Sequence, residues 1–223
     1  MNLFRRMRAA TALGLTSLNG ADLERLKEGA RIVEEDHRGI KVLGLRDGSF
    51  LKMVRRKGPL SLAWLFPYAM RFARNAQVLR QRGIDCPQII ACYRAQESEL
   101  DMIHYWPVPG ETVRACLSLG GQAELLEKVG SYIARLHEQG IYFRALHLGN
   151  IVRGDDGHLA LIDIADVRFS QRPLRRWVRR RNFRNILRYR EDRRWLSEEA
   201  AAMAFWRGYG RDSSVPMGVQ ECR

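Results

Sequence analysis

Between Ala30 and Val54 three short runs, ARIVEED, IKVLGL and SFLKMV, carry apolar and β-branched residues in the short blocks expected of strands. His37-Arg38-Gly39 separates the first two, and Asp47-Gly48, a strong hairpin signal, the second and third. They predict a three-stranded antiparallel meander. From Ser61 to Arg82 the period lengthens: Leu62, Leu65, Phe66, Met70, Phe72, Ala76 and Leu79 fall at helical spacing, interrupted by Pro67 and ended at Gly83. That predicts a kinked helix or two abutting ones. After Pro87, QIIACYR and LDMIHYW predict two more strands, and Pro107 with Pro109-Gly110 marks a linker. Beyond Gly121, ELLEKVGSYIARLHEQG places Leu125, Val129, Ile133 and Leu136 on one helical face, with Gly140 as the cap. IYFRALHLGNIV, the turn Gly154-Asp155-Asp156-Gly157 and HLALIDIADV read as a loop, a short strand, a hairpin and a second short strand. Pro173 to Gly208 is helical. Residues 1–29 mix Arg with Leu and Ala and read as an N-terminal extension of one or two short helices.

The chain has 223 residues, 46% of them hydrophobic, enough for one sizeable core or two small lobes sharing a cleft. The pattern divides it into the extension 1–29, a small lobe 30–108 of five strands and one helix, and a mainly helical large lobe 109–223. No internal repeat suggests a solenoid. The formal charge is +13, and only five of the 38 basic residues are Lys. Guanidinium matches phosphate and carboxylate, so the bias favours anionic partners, although a GC-rich genome also inflates Arg. Cys86, Cys92, Cys116 and Cys222 show neither zinc-site spacing nor the density of a disulfide scaffold, which fits a reducing cytoplasm. The basic start MNLFRRMRAATALGL runs into polar residues too soon for a cleaved signal, and no stretch is long and apolar enough to span a bilayer. Any membrane contact is expected to be peripheral.

The segment from Leu136 to Asp163 carries the chemistry. A helix ending in LHEQGI, a loop ending in Asn150 and an acid after the next hairpin have the arrangement of a kinase catalytic segment, whose loop reads HRDLxxxN. Here the loop runs Phe143-Arg144-Ala145-Leu146-His147-Leu148-Gly149-Asn150, with Arg, Leu and Asn in register. Magnesium bridging nucleotide phosphates wants hard oxygen donors from two directions, so the Asn150 amide and the Asp163 carboxylate are the metal candidates. Lys52, on the third strand, is where a kinase places the lysine that contacts the phosphates. Each residue also has an ordinary use. Asn150 follows Gly149 and suits a turn, Asp163 can pair with Arg168 or another Arg, Lys41 rivals Lys52, and His147 can serve as a loop hydrogen bonder.

On these motifs the chain, from about Ala30 to Gly208, resembles the lipopolysaccharide core heptose kinase group of the protein-kinase-like superfamily, in its short toluene tolerance protein type. The resemblance implies an α+β bilobal protein-kinase-like fold, with a small antiparallel β lobe and a mainly helical large lobe. It also implies ATP and Mg between the lobes, and a cytoplasmic protein, peripheral on the inner membrane, that phosphorylates a core sugar. Tyr105, with Trp106 before Pro107, stands where kinases receive the adenine ring; its plain reading is an apolar strand end. Three departures stand out. Ala145 occupies the position of the catalytic Asp and can accept no proton. Asn75 replaces the Glu partner of the strand lysine and can hydrogen-bond it without neutralising it. Asp36-His37-Arg38-Gly39 replaces the glycine-rich loop, leaving backbone N–H groups as phosphate donors. Asp166 and His147 are the candidates to replace the missing base. Without a base the chain reads instead as a pseudokinase scaffold or regulator in envelope biogenesis.

Arg172 to Arg194 holds eleven Arg against Glu191 and Asp192, interleaved with Trp177, Val178, Phe183, Ile186, Leu187 and Trp195. This predicts helices that pack one face and expose guanidinium on the other. The exposed face suits an anionic lipopolysaccharide or membrane surface, or is simply solvated. Nucleic acid is disfavoured, since no helix-turn-helix, zinc or stacking motif accompanies the charge.

Overall fold

Six strands, β1 (Leu15–Leu18), β2 (Arg31–Asp36), β3 (Gly39–Gly44), β4 (Phe50–Arg55), β5 (Gln88–Ala95) and β6 (Leu100–Trp106), make one sheet in the order β1-β5-β6-β4-β3-β2. β1 runs parallel to β5 and every other pairing is antiparallel. The computed structural model describes residues 14–56, 67–119 and 122–218 of a mixed α and β chain, which divides into two compact units after Pro107. The first part of the extension, the Ser61 to Phe66 stretch of the expected helix, Gly121 and Cys222 lie outside the described residues.

In the first unit strand alternation decides the two faces of the sheet. Val42, Lys52 and Ile103 are in register across β3, β4 and β6 on one face. Helix α2 (Tyr68–Gln81) covers it, burying Ala69, Phe72, Ala73, Ala76 and Leu79. It starts directly after Pro67, which has no N–H to lose at a helix start. On the other face Leu43, Leu51, Tyr93, Ala95 and Met102 cluster with Leu23 of helix α1 (Gly20–Lys27). Asn19 caps α1 by accepting the Asp22 N–H at 2.8 Å. The expectation of an extension ahead of the fold is therefore corrected: β1 closes a sheet edge and α1 supplies the cover of one face. Sequence alone hid this because β1 spans four residues and adds by parallel pairing, with no hairpin to announce it.

The second unit contains β7 (Glu111–Thr112), α3 (Val113–Leu119), α4 (Gln122–Glu138), β8 (Ile141–Phe143), β9 (Ile151–Arg153), β10 (Leu159–Leu161) and β11 (Val167–Phe169). It ends with α5 (Arg176–Ile186), α6 (Arg190–Ser197) and α7 (Glu199–Asp212). The strands form two small sheets, β10-β9-β7 and β11-β8. α4 and α7 meet backbone to backbone through glycine: a Cβ on Gly130 would strike the Phe205 carbonyl, and one on Gly208 the Glu127 carbonyl.

A directional chain of hydrogen bonds ties α4, α5 and α7 together. The fully buried Arg179 donates to the Tyr209 hydroxyl at 3.1 Å and to Glu138 at 2.9 Å. Tyr209 Oη lies 2.9 Å from His137 Nδ1, and His137 Nε2 lies 3.0 Å from Asn182 Oδ1. The amide oxygen only accepts, so Nε2 carries the proton and Nδ1 accepts from the hydroxyl. Asn182 Nδ2 then donates to the Phe143 carbonyl, at the start of the loop that follows β8. Burial, with the Arg179 charge nearby, holds His137 neutral against the opposing pull of the Asn182 bond, its pKa pushed down to about 3. The basic segment thus departs from its expected pattern twice: Arg179 is inside, and Trp177 is 62% exposed.

Candidate functional site

The loop from Arg144 to Asn150 ends in a single 3-10 turn, Leu148–Asn150, which enters β9. Asn150 is buried to 8% exposure and its Nδ2 donates to the Ala145 carbonyl at 2.9 Å, closing the loop on itself. Its backbone carbonyl accepts the Ile162 N–H at 3.0 Å, which brings the residue after β10 against the loop. The next residue is Asp163, with φ 53° and ψ 45°, the one non-glycine residue in the left-handed region among those described. That conformation costs an L-residue about 1–2 kcal/mol, less for Asp than for most. Such strain is held where the surrounding structure fixes it, and it concentrates at functional positions. The hairpin β9–β10 therefore sets Asn150 and Asp163 at one end, an amide and a carboxylate anchored by adjacent backbone.

This donor set fits magnesium. Both are hard oxygen ligands, and magnesium bound with a nucleotide takes one or two protein donors, the rest coming from phosphates and water. Among the described residues no group of three or more His, Cys, Asp and Glu is placed to hold a metal by itself.

The two candidate bases stand differently. Asp166 is brought to the loop, where its Oδ2 pairs with Arg144 Nη2 at 3.3 Å and its carbonyl accepts the Arg144 N–H at 3.4 Å. Arg144 thus holds an acidic group, and that carboxylate already has a guanidinium for a partner. His147 Nδ1 lies 3.3 Å from Arg114 Nη2, and its ring packs 4.2 Å from that of Tyr189. Arginine only donates, so Nδ1 accepts and the proton sits on Nε2. Burial, then the Arg114 charge, lowers the His147 pKa and keeps it in this neutral form. A ring with one nitrogen accepting and the other protonated has no lone pair left for a substrate proton, so the geometry weighs against His147 as a base.

Arg114 and Asp192 are the residues that sequence reasoning missed. Asp192 is fully buried, takes two bonds from Arg114 at 2.7 and 3.1 Å, and accepts the Leu148 N–H at 2.8 Å. Arg114 also reaches Glu191 at 3.1 Å. One carboxylate on α6 thereby fixes both α3 and the loop. In the sequence Asp192 is a minor acid within an arginine run; its only signal is apolar spacing on α6, where Leu196 is the other buried residue four positions on.

In the first unit Lys52 is half-buried on β4, its Nζ 5.5 Å from the Tyr68 ring centre and 6.0 Å from that of Phe72. Lys41 is committed elsewhere, to Asp36 at 3.1 Å and Glu34 at 3.5 Å, and the Asp36 contact raises its pKa. Asn75 is buried on α2. The turn between β2 and β3 does not offer the donors expected of it throughout. Asp36 Oδ1 takes the Arg38 N–H at 2.9 Å, a bond that lowers the Asp36 pKa and sets a carboxylate beside the turn. Tyr105 is 9% exposed, its ring between Phe50 at 6.0 Å and Phe72 at 5.7 Å. It belongs to the aromatic core of this unit, which agrees with its plain reading as an apolar strand end.

On α5 the exposed residues Trp177, Arg180, Arg181 and Arg184, with Arg188 just beyond, recur at helical spacing and line a groove of about 400 Å³. Phe183, Ile186, Asn182 and Arg179 occupy the opposite, buried side. No described helix is long and apolar enough to cross a membrane. Compared with known proteins, the chain matches no family model and no curated protein.

Proposed function

We propose that the chain is a protein-kinase-like phosphotransferase that binds ATP with magnesium and phosphorylates a lipopolysaccharide core sugar. The first unit is the small nucleotide lobe of that fold and the second is the acceptor lobe. The observation that carries the reading is the placement of Asn150 and Asp163 at the same end of the β9–β10 hairpin, through the Ile162 N–H on the Asn150 carbonyl, Asp163 being held in a left-handed conformation. Asn150 and Asp163 are the residues that would hold magnesium, which neutralises phosphate charge when bound. Lys52 is assigned to the nucleotide phosphates. In the reaction the sugar hydroxyl oxygen bonds to the γ-phosphorus, the bond to the ADP oxygen breaks, and the hydroxyl proton leaves to Asp166 or to water.

Ala145 favours a second reading. A kinase loop without its base, with Asp166 paired to Arg144 and His147 accepting from Arg114, suits a protein that binds nucleotide without turnover and regulates envelope biogenesis. Loss of a general base costs roughly 10²- to 10⁴-fold, so the two readings differ in rate rather than in binding. On either reading the Trp177 and arginine stripe of α5 meets an anionic membrane surface, indole and guanidinium being suited to the headgroup region.

Calorimetry of ATP with and without magnesium, on wild type and on Asp163→Asn, tests the reading. Asn tolerates the left-handed backbone, so that variant removes charge without adding strain. Magnesium-dependent binding in wild type that disappears in Asp163→Asn is the expected result. Equal binding by both proteins removes the metal assignment, and no binding by either removes the kinase-like reading. Ala145→Asp then separates the readings: an increase in phosphate transfer marks an enzyme lacking only its base.

A further inference from the structure

A second groove in the second unit lies beside the loop 144–150. It has a volume of about 780 Å³ and is lined by Thr112, Arg114, Ala115 and Ser118 on one side and Arg190, Glu191, Arg194 and Trp195 on the other. That volume is within the roughly 300–1,000 Å³ range of small-molecule sites. We propose that this groove binds a phosphorylated saccharide and is the acceptor site. Only the word acceptor rests on the kinase-like reading; the ligand class follows from the lining itself.

The two walls are faces of α3 and α6, with Thr112 of β7 at the end of the first. Arg190 and Arg194 are four residues apart on α6, as are Glu191 and Trp195, so each pair presents side by side. Arg114 and Ser118 repeat that spacing on α3. The charges divide the groove into two functions. Arg114 is balanced by Asp192 behind it and by Glu191 beside it, at 2.7 and 3.1 Å. Arg190 and Arg194 therefore dominate the field that an entering anion meets, and their planar forks match phosphate oxygens. Trp195 is half-buried and offers an apolar body beside a polar rim, with the Arg194 guanidinium 5.5 Å from its ring centre. The apolar C–H face of a pyranose suits that surface. Thr112 and Ser118 hydroxyls and the Glu191 carboxylate supply the donors and acceptors that sugar hydroxyls require.

The groove is joined to the candidate chemistry by one side chain. Arg114 lines it and also meets His147 at 3.3 Å. Gly149 is packed so closely on Arg114 that a Cβ there would lie 3.1 Å from Nη1. A saccharide seated against α3 thus adjoins the loop that ends in Asn150.

The probe is mannose 6-phosphate, titrated calorimetrically into the full chain without nucleotide, beside mannose and inorganic phosphate. The expected result is saturable binding of mannose 6-phosphate near 1 mM or tighter, with both fragments about tenfold or more weaker. Arg190→Ser with Arg194→Ser should weaken it by about tenfold or more, while Arg181→Gln with Arg184→Gln, which removes equal charge from α5, should not change it. Absence of saturable binding overturns the proposal. So does equal affinity for inorganic phosphate, which marks a charge effect alone, or an equal loss in the α5 variant. Asp163→Asn should keep sugar-phosphate binding. If wild type takes up mannose 6-phosphate but not magnesium ATP, the kinase-like reading fails and the groove stands. If ATP binds and the sugar phosphate does not, the groove fails alone.

Discussion

The two sides of the loop 144–150 are built on opposite principles. Behind it, His137, Arg179, Asn182 and Asp192 are buried to within 1% of full enclosure, and each has hydrogen-bond partners on a different element. In front, Asp163 and Asp166 are half-exposed on a strained turn and Ala145 carries no chemistry at all. The rear is enclosed and hydrogen-bonded, whereas the front is partly open to solvent, with Asp166 paired to Arg144. Buried polar groups are costly unless satisfied, so the rear should dominate stability and the front should hardly affect it.

Asp192→Ala should give the largest effect. It removes the carboxylate that fixes Arg114 and the Leu148 N–H, leaving a buried N–H without its acceptor and Arg114 with Glu191 alone, a change that costs about 2–3 kcal/mol. Denaturant unfolding measures it. A loss below about 1 kcal/mol would mean that the loop is held by its own turn and not from behind.

Acid should act on the same side of the loop. His137 stays neutral in the fold, its pKa near 3, whereas in the unfolded chain it titrates near 6.5. Its contribution is complete above pH 6.5 and is lost as pH falls below that value, because the unfolded chain then takes up a proton that the fold refuses. The loss is about 1.4 kcal/mol per pH unit, or about 2 kcal/mol between pH 7.5 and pH 5. His104 and His147, also lowered by burial, act in the same direction. His137→Gln can donate to Asn182 and accept from Tyr209 without titrating, so the slope should decrease by that share. An unchanged slope would assign the acid sensitivity to the other two histidines.

This division also explains what the sequence revealed. The five strands from Arg31 to Trp106 are legible because alternation and the Asp47-Gly48 turn are local signals. That Asn150 and Asp163 fall at one end of the β9–β10 hairpin is legible because a loop and a hairpin fix their separation along the chain. Asp192 and Arg114, 78 positions apart, and His137 and Asn182, 45 apart, have no such signal. A charged residue within an arginine run reads as solvated until the fold shows which face is inside. Arg179 and Trp177 illustrate this: two positions apart on α5, one is fully buried and the other exposed, the reverse of their polarity.

The front of the loop should respond in the opposite way. Asp163→Gly relieves the left-handed strain while giving the unfolded chain more freedom, two terms of similar size and opposite sign. On these backbone terms its stability should stay within about 1 kcal/mol of wild type, while on the proposed function the variant should lose magnesium-dependent nucleotide binding. A larger destabilisation would place Asp163 with the structural residues behind the loop.

The exposed stripe of α5 should change stability least of all. Arg181→Gln with Arg184→Gln removes two charges from a solvent-facing row and leaves Phe183 and Ile186 packed, so unfolding should shift by no more than about 0.5 kcal/mol. Binding is where the change should appear. Each arginine near an anionic bilayer contributes about 1 kcal/mol, so the double variant should bind phosphatidylglycerol vesicles many-fold more weakly, and added salt should narrow the difference. Wild type and variant binding alike at low salt would show that the row is only a solvated face. The guanidinium that matters on α5 would then be the buried Arg179 alone.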